Sequence, residues 1–186
     1  MQAPTAPPET KLITGEELLA MGDIGPCELI DGRIVPMGPT GGEHGDIEMT
    51  LGFALKAFVQ QRGLGKVLSG EVGIYTRRNP DRVRGADIVF VSKERLQKIP
   101  EGFLEVAPEL VVEIISPSDR WSDMRRKIDE YFAIGVQWIW VVEPEDQVVQ
   151  IYHSRTDARE LTKNDTLVGE GVLEGFNLPV ASLFPA

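Results

Sequence analysis

The feature of this sequence that most limits its fold is the aliphatic run Leu110–Ile115, Leu-Val-Val-Glu-Ile-Ile, bounded by Glu109 and Ser116 and stopped by Pro117. A stretch this short and this continuous reads as a strand covered on both faces, because a strand with one wet face alternates. Such a strand needs a sheet with helices on either side. Glu113 at its centre is the anomaly. An isolated carboxylate among aliphatic side chains carries a large desolvation cost unless it is paired or holds a cation. Gly85–Val91 repeats the pattern, with Asp87 running into Ile88-Val89-Phe90-Val91. For one such acid a structural ion pair is the simpler reading. For two in adjacent central strands a shared hard cation is the better one. Mg2+ (or Mn2+) matches, since it takes one or two carboxylates, several waters and phosphate oxygens.

The flanking segments supply the rest of an α/β (α+β) domain. Thr14 and Glu17 form a capping-box pattern that opens a short helix over Gly15–Met21. Glu28–Val35 reads as an N-terminal β-hairpin around Asp31-Gly32. From Asp46 to Gln61, Ile47, Leu51, Ala54, Leu55 and Phe58 form a helical stripe closed by Gly63. Lys66–Thr76 is a strand joined to the Asp87 strand by the basic turn RRNPDRVR. A helix over Ser122–Ile134 carries Met124, Ile128 and Tyr131 on one face, and the strands Gln137–Val142 and Gln147–His153 follow. The tail Thr166–Phe184 reads as short strands and turns. The order predicts a mixed central sheet flanked by helices.

The length of 186 residues suits a single domain over 12–186, preceded by a disordered Pro-rich lead-in over 1–11. One cysteine, Cys27, and two distant histidines, His44 and His153, exclude a disulfide framework and a zinc signature. No apolar run approaches the roughly 20 residues that span a bilayer. The start of the chain has no secretory pattern, so the expectation is a cytoplasmic protein without a membrane. A net charge of −10 argues against a generic nucleic-acid binder. Yet residues 63–134 hold 12 of the 19 Lys and Arg, so the cations gather beside the two buried acids.

Lys127 lies three residues after Met124 and four before Tyr131, bordering the apolar stripe of its helix. Its stem is long enough to cross that stripe towards the carboxylates; a lysine snorkelling into solvent is the plainer alternative. Arg77, Arg78, Arg82 and Arg84 in the basic turn are candidate phosphate contacts, since guanidinium groups bind phosphates bidentately without reading bases. A solvated hairpin tip is the alternative. Trp138 and Trp140 alternate with Ile139 and Val141 and read as core or a dimer face.

The segments GPCELIDGRIVPMGP, EHGDI, GADIVFV, APELVVEIISPSDRWSDMRRKIDEYFAIGVQWIWVVEPEDQVVQIY and GFNLPVASLF together resemble the Uma-type restriction endonuclease family of the PD-(D/E)XK nuclease superfamily. The resemblance runs from Gly25 to Phe184. It implies a restriction-endonuclease-like core with Asp87 as the Asp of the PD element and Glu113 as its acidic partner. Two positions depart from the superfamily pattern: Ala86 replaces the proline before Asp87, and Ile115 stands where the strand lysine would be. The resemblance implies that Lys127 replaces that lysine from the following helix. It also implies a contribution from the N-terminal part, for which Glu28 and His44 are preferred over Glu48.

These readings converge on a metal-dependent endonuclease that hydrolyses DNA phosphodiester bonds, acting as a homodimer. The rivals are a non-catalytic interaction module that keeps the fold, and a phosphohydrolase acting on RNA or nucleotides.

Overall fold

The computed structural model describes residues 11–117 and 119–184. The lead-in expected at 1–11 lies outside the described residues, except for Lys11.

Local chemistry sets most boundaries. The Thr14 hydroxyl accepts from the Glu17 amide and the Glu17 carboxylate accepts from the Thr14 amide, so the capping box forms and α1 spans Gly15–Ala20. Asp31 and Gly32 both adopt positive φ, 53° and 74°. This is the conformation a two-residue turn needs to join twisted strands, and it connects β1 (Cys27–Ile30) to β2 (Arg33–Pro36). Helix α2 (Gly42–Arg62) starts four residues earlier than its apolar stripe, on a Gly41 N-cap, and ends at Gly63 in the left-handed conformation. His44 is therefore inside the first turn rather than capping it.

Strands β3 (Gly65–Arg77) and β4 (Arg82–Ser92) form a long antiparallel pair. The connecting turn is shorter than the sequence implied, and Arg82 and Arg84 belong to β4. Next come β5 (Leu110–Ile114), α3 (Trp121–Ile134), β6 (Trp138–Glu143) and β7 (Val148–Tyr152). Strand β8 (Ala158–Thr162) adds an edge that the sequence did not reveal, because Leu161 is its single buried residue. The tail forms a small two-stranded sheet of β9 (Thr166–Val168) and β10 (Asn177–Pro179).

The central sheet runs β2-β1-β4-β5-β6-β7-β8, with β3 on the other edge of β4. All its pairs are antiparallel except β5 with β6, the pair that α3 crosses over. Both faces of the central strands are covered. On one side Ile47, Leu51, Leu55 and Val59 of α2 pack with Ile88, Val112, Trp140 and the C-terminal segment. On the other, Met124, Ile128 and Tyr131 of α3 pack with Val89, Val111, Ile139 and Val141. Trp140 is a core residue stacked on Phe176, and the half-buried Trp138 packs against the same core.

The sheet has one discontinuity that matters. Strand β4 meets β1 at Val83 and β5 from Ile88 to Phe90. Between them, residues 84–87 have no strand partner on that edge. Side chains must satisfy the backbone there.

Candidate active site

The fork between β1 and β5 is filled by titratable side chains. The Gly85 amide donates to Glu28 Oε1 at 3.1 Å, and the Gly85 carbonyl accepts from Lys127 Nζ at 2.9 Å. Lys127 also donates to Glu113 Oε2 at 2.8 Å and lies 3.4 Å from Glu28 Oε1. Its ammonium therefore points inward, from the helix that follows the Glu113 strand, and not into solvent. The Tyr131 hydroxyl, one helical turn on, donates to Glu113 Oε1 at 2.6 Å. Both oxygens of Glu113 are thus fixed from α3.

Asp87 occupies the next step of β4. Its Oδ2 accepts from the Ile114 amide at 2.6 Å, and Oδ1 lies 3.3 Å from His44 Nε2 on α2. Asp87 and Glu113 are 5% and 3% exposed, so neither carboxylate is hydrated like a surface acid. His44 is also buried, and its Nδ1 has no partner among the described residues. Glu48, one turn further along α2, accepts from the Gly70 amide at 2.9 Å.

The electrostatics follow from this crowding. Burial pushes the Glu113 carboxyl up, Lys127 pulls it back and Asp87 pushes it up again, leaving it at about 7. Burial pulls Lys127 down, but Glu113, Glu28 and Asp87 outweigh that and hold the ammonium protonated. Burial alone would lower His44, yet the Asp87 carboxylate raises it above its ordinary value. Glu48 and Glu71 are both raised, first by burial and then by Asp87. The same negative centre thus raises three carboxyl groups on three different strands and helices.

The sequence reading placed Asp87, Glu113, Lys127, Glu28 and His44 in the site, and the fold brings all five together. Glu28 faces Gly85, Lys127 and Arg84. Three participants were missed. Tyr131 was read as a core residue, which its spacing justifies, and nothing in the sequence marks its hydroxyl as a Glu113 partner. Glu130 carries no signal in the sequence that singles it out, yet it clamps Arg82 and Arg84. Glu71, exposed on β3, comes to the rim of the site through a register shift between Ser69 and Val72 that nothing in the sequence marks.

The four arginines differ from their expected role. Arg84 binds Glu28 and Glu130, Arg82 binds Asp31 and Glu130, Arg77 binds Asp31, and Arg78 binds Glu16, Asp81 and Glu105. They knit the hairpin, β4 and α3 together instead of presenting free guanidinium groups. The physical reason is proximity to carboxylates that lie far away in sequence.

A model of the Uma2 family, described as putative restriction endonuclease, matches residues 16–181. The chain belongs to this family. Among solved structures, a putative nuclease belonging to DUF820 from Anabaena variabilis shares the Uma2 chain's fold, with a TM-score of 0.77 and 19% identity. The match covers 92% of this chain and 97% of that one. No significant match was found among curated proteins. Among the described residues, no helix of this Uma2 family member is long and apolar enough to cross a membrane.

The donor set fits a hard divalent cation in chemistry. It offers buried carboxylate oxygens, no thiolate, and a surplus of negative charge that Lys127 and Arg84 do not cancel. Among the described residues no group of three or more His, Cys, Asp or Glu side chains is arranged to hold a metal ion. An ion such as Mg2+, which keeps several waters, does not need one.

Proposed function

We propose that this protein is an endonuclease that hydrolyses phosphodiester bonds in DNA with a divalent cation, Mg2+ or Mn2+. The observation that carries the reading is the Asp87–Glu113–Lys127 arrangement: two buried carboxylates on adjacent strands, with a part-buried ammonium 2.8 Å from one of them. It fits the PD-(D/E)XK pattern with the lysine supplied from α3.

In this reading Asp87 and Glu113 hold the cation. When bound, a divalent ion supplies Lewis-acid charge and lowers the pKa of an attacking water. Lys127 contributes a fixed positive charge beside Glu113, positioned to orient that water or to offset charge on the pentavalent phosphorus. Tyr131 and the Ile114 amide fix the rotamers of the two acids. His44 holds Asp87 from the opposite face. Phosphate contacts by the exposed Arg77 and Arg78 require them to exchange carboxylate partners for phosphate oxygens. Action as a homodimer in the cytoplasm belongs to the same proposal; the exposed Met49 and Phe53 on the outer side of α2 give it an apolar face.

A second reading, a non-catalytic module keeping this fold, has one observation in its favour: both Glu113 oxygens are already hydrogen-bonded within the protein. Incubating supercoiled plasmid DNA with Mg2+, Mn2+ or chelator separates the two. The nuclease reading expects nicking that needs the cation and disappears in Asp87→Asn and Glu113→Gln. No cleavage by folded wild type under any divalent condition refutes it. Parallel RNA and nucleotide substrates distinguish a DNA nuclease from other phosphohydrolases.

A further inference from the structure

Helix α2 is apolar on two faces. Ile47, Leu51, Leu55 and Val59 are turned into the core, while Met49 and Phe53 on the opposite face are 71% and 72% exposed. No other large apolar side chain among the described residues exceeds 47%. Single exposed apolar residues are ordinary, but two of them one turn apart in the middle of a 21-residue helix form a patch. A helix that is apolar on both faces is normally covered on both. The described chain covers only the inner one.

The outer face has a definite period. Gly42, Asp46, Met49, Phe53, Lys56 and Gln60 are all exposed and follow one another at spacings of four, three, four, three and four. That is the 3.5-residue repeat of a helix–helix seam. The seam is also symmetric about its midpoint, level with residue 51. Laid antiparallel on a second copy of itself, it sets Met49 against Phe53 of the partner subunit, and Asp46 against Lys56 of the partner subunit. Acid then faces base at both ends. A parallel pair would set like charge on like charge. Neither Asp46 nor Lys56 has an ion-pair partner within the chain among the described residues. Gly45, exposed beside this seam, stands inside the helix, where glycine is less favourable than alanine. A Cβ there would meet nothing within 4 Å, so packing within the chain does not require the glycine. Its bare backbone does permit close approach by another helix.

We propose that the outer face of α2 is the homodimer interface, an antiparallel two-fold helix pair with Met49 and Phe53 interlocked at its centre and Asp46–Lys56 ion pairs at its ends. The inference rests on the homodimer reading above, to which it gives a surface and a register, and it is independent of the nuclease chemistry. The occupant is a second copy of this chain because a seam that complements itself under a two-fold rotation is what an isologous interface requires. The inner face of the same helix carries His44, 3.3 Å from Asp87, so the pair joins two copies of the candidate site through one element.

The test is sedimentation velocity of the full chain over a range of concentrations. The proteins compared are wild type, Phe53→Ser, Asp46→Lys, Lys56→Asp and the double variant Asp46→Lys/Lys56→Asp. All three positions are exposed, so circular dichroism melts should match wild type, and the charge variants supply the test if Phe53→Ser is unfolded. With two apolar layers at its centre, the wild-type dimer should dissociate reversibly with a Kd in the micromolar range. Phe53→Ser should be monomeric. Each single charge reversal puts like charges at both ends and should raise Kd by about 10-fold. An equimolar mixture of the two single variants should form a heterodimer, and the double variant should dimerise like wild type, because each restores acid against base. Dimerisation of folded Phe53→Ser with wild-type affinity overturns this inference and leaves a homodimer through another face. Weakened single variants without rescue in the mixture overturn the antiparallel register. Wild type that is monomeric at every concentration overturns the homodimer reading, and this inference falls with it. None of these results alters the plasmid-nicking test, so the nuclease reading is judged separately.

Discussion

The buried Glu113 makes the stability of the cation-free protein depend on pH in a direction opposite to that of most acidic side chains. Its carboxyl is raised from 4.5 to about 7, first by burial and then by Asp87, against the pull of Lys127. The folded protein therefore keeps a proton that the unfolded chain releases near pH 4.5. Stability from this group is fully present below pH 4.5 and is lost as pH rises towards about 7. A shift of about 2.5 pH units at about 1.4 kcal/mol per unit makes the full loss about 3.5 kcal/mol, of which about 3 kcal/mol falls between about pH 4.5 and pH 8. For a chain of this size that corresponds to roughly 6–12 °C in Tm. Glu48, Glu71 and His44 are also raised, and each shift has the same sign, so none of them cancels it. The assay is urea denaturation of chelator-treated wild type and Glu113→Gln between about pH 4.5 and pH 8. Glu113→Gln removes the titration but leaves Lys127 short of one anion. That offset is constant across the window, because Lys127 stays protonated throughout it. The slope therefore carries the test and the intercept does not. Wild type should lose about 3 kcal/mol more than the variant over the range. Parallel pH profiles, or a wild-type profile that rises with pH, would show that Glu113 is ionised in the fold and that the burial argument is wrong.

Other perturbations follow from the same geometry. Lys127→Met should abolish plasmid cleavage and also destabilise the fold by about 3–5 kcal/mol, because it leaves the buried Glu113 without its cation and Glu28 with Arg84 alone; denaturation and nicking assays run together check both halves. Tyr131→Phe should cost about 1.5–3 kcal/mol in chemical denaturation, the range for a hydrogen bond to a charged group, since Phe fills the same volume but gives Glu113 no donor. DNA binding measured by fluorescence anisotropy should require Mn2+, or Ca2+ where cleavage must be avoided. The fork carries surplus negative charge, and equal affinity in chelator would contradict a site there.

How the sequence foretold this arrangement can be traced residue by residue. Asp87 and Glu113 were visible because a charge inside an aliphatic run breaks a strong local pattern. The Asp31-Gly32 hairpin and the Thr14–Glu17 cap were visible because their chemistry is contained within four residues. Lys127 was half visible: its place beside the apolar stripe allowed an inward ammonium, and only the packing of α3 on the sheet chose that orientation over solvent. The edge strand β8 left no pattern because three of its five residues are exposed charged or alanine side chains before Leu161.

What stayed hidden depends on long-range register. Glu130 meets Arg84 across 46 residues and Arg82 across 48, and Glu28 meets Arg84 across 56, so four arginines that look like an open basic turn are tied into the fold. The Gly70–Glu71 bulge exists only relative to β4, since one extra residue in a strand means nothing until its partner is known. The fork itself is of the same kind. It arises because β1 and β5 share one edge of β4 without meeting, and this leaves Gly85 without a strand partner on that edge. Glu28 and Lys127 then serve two purposes at once: they satisfy a backbone amide and carbonyl, and they set the charge around Asp87 and Glu113. Each side chain that completes the sheet here also shapes the candidate site, which explains why the buried charges are tolerated in the centre of the core.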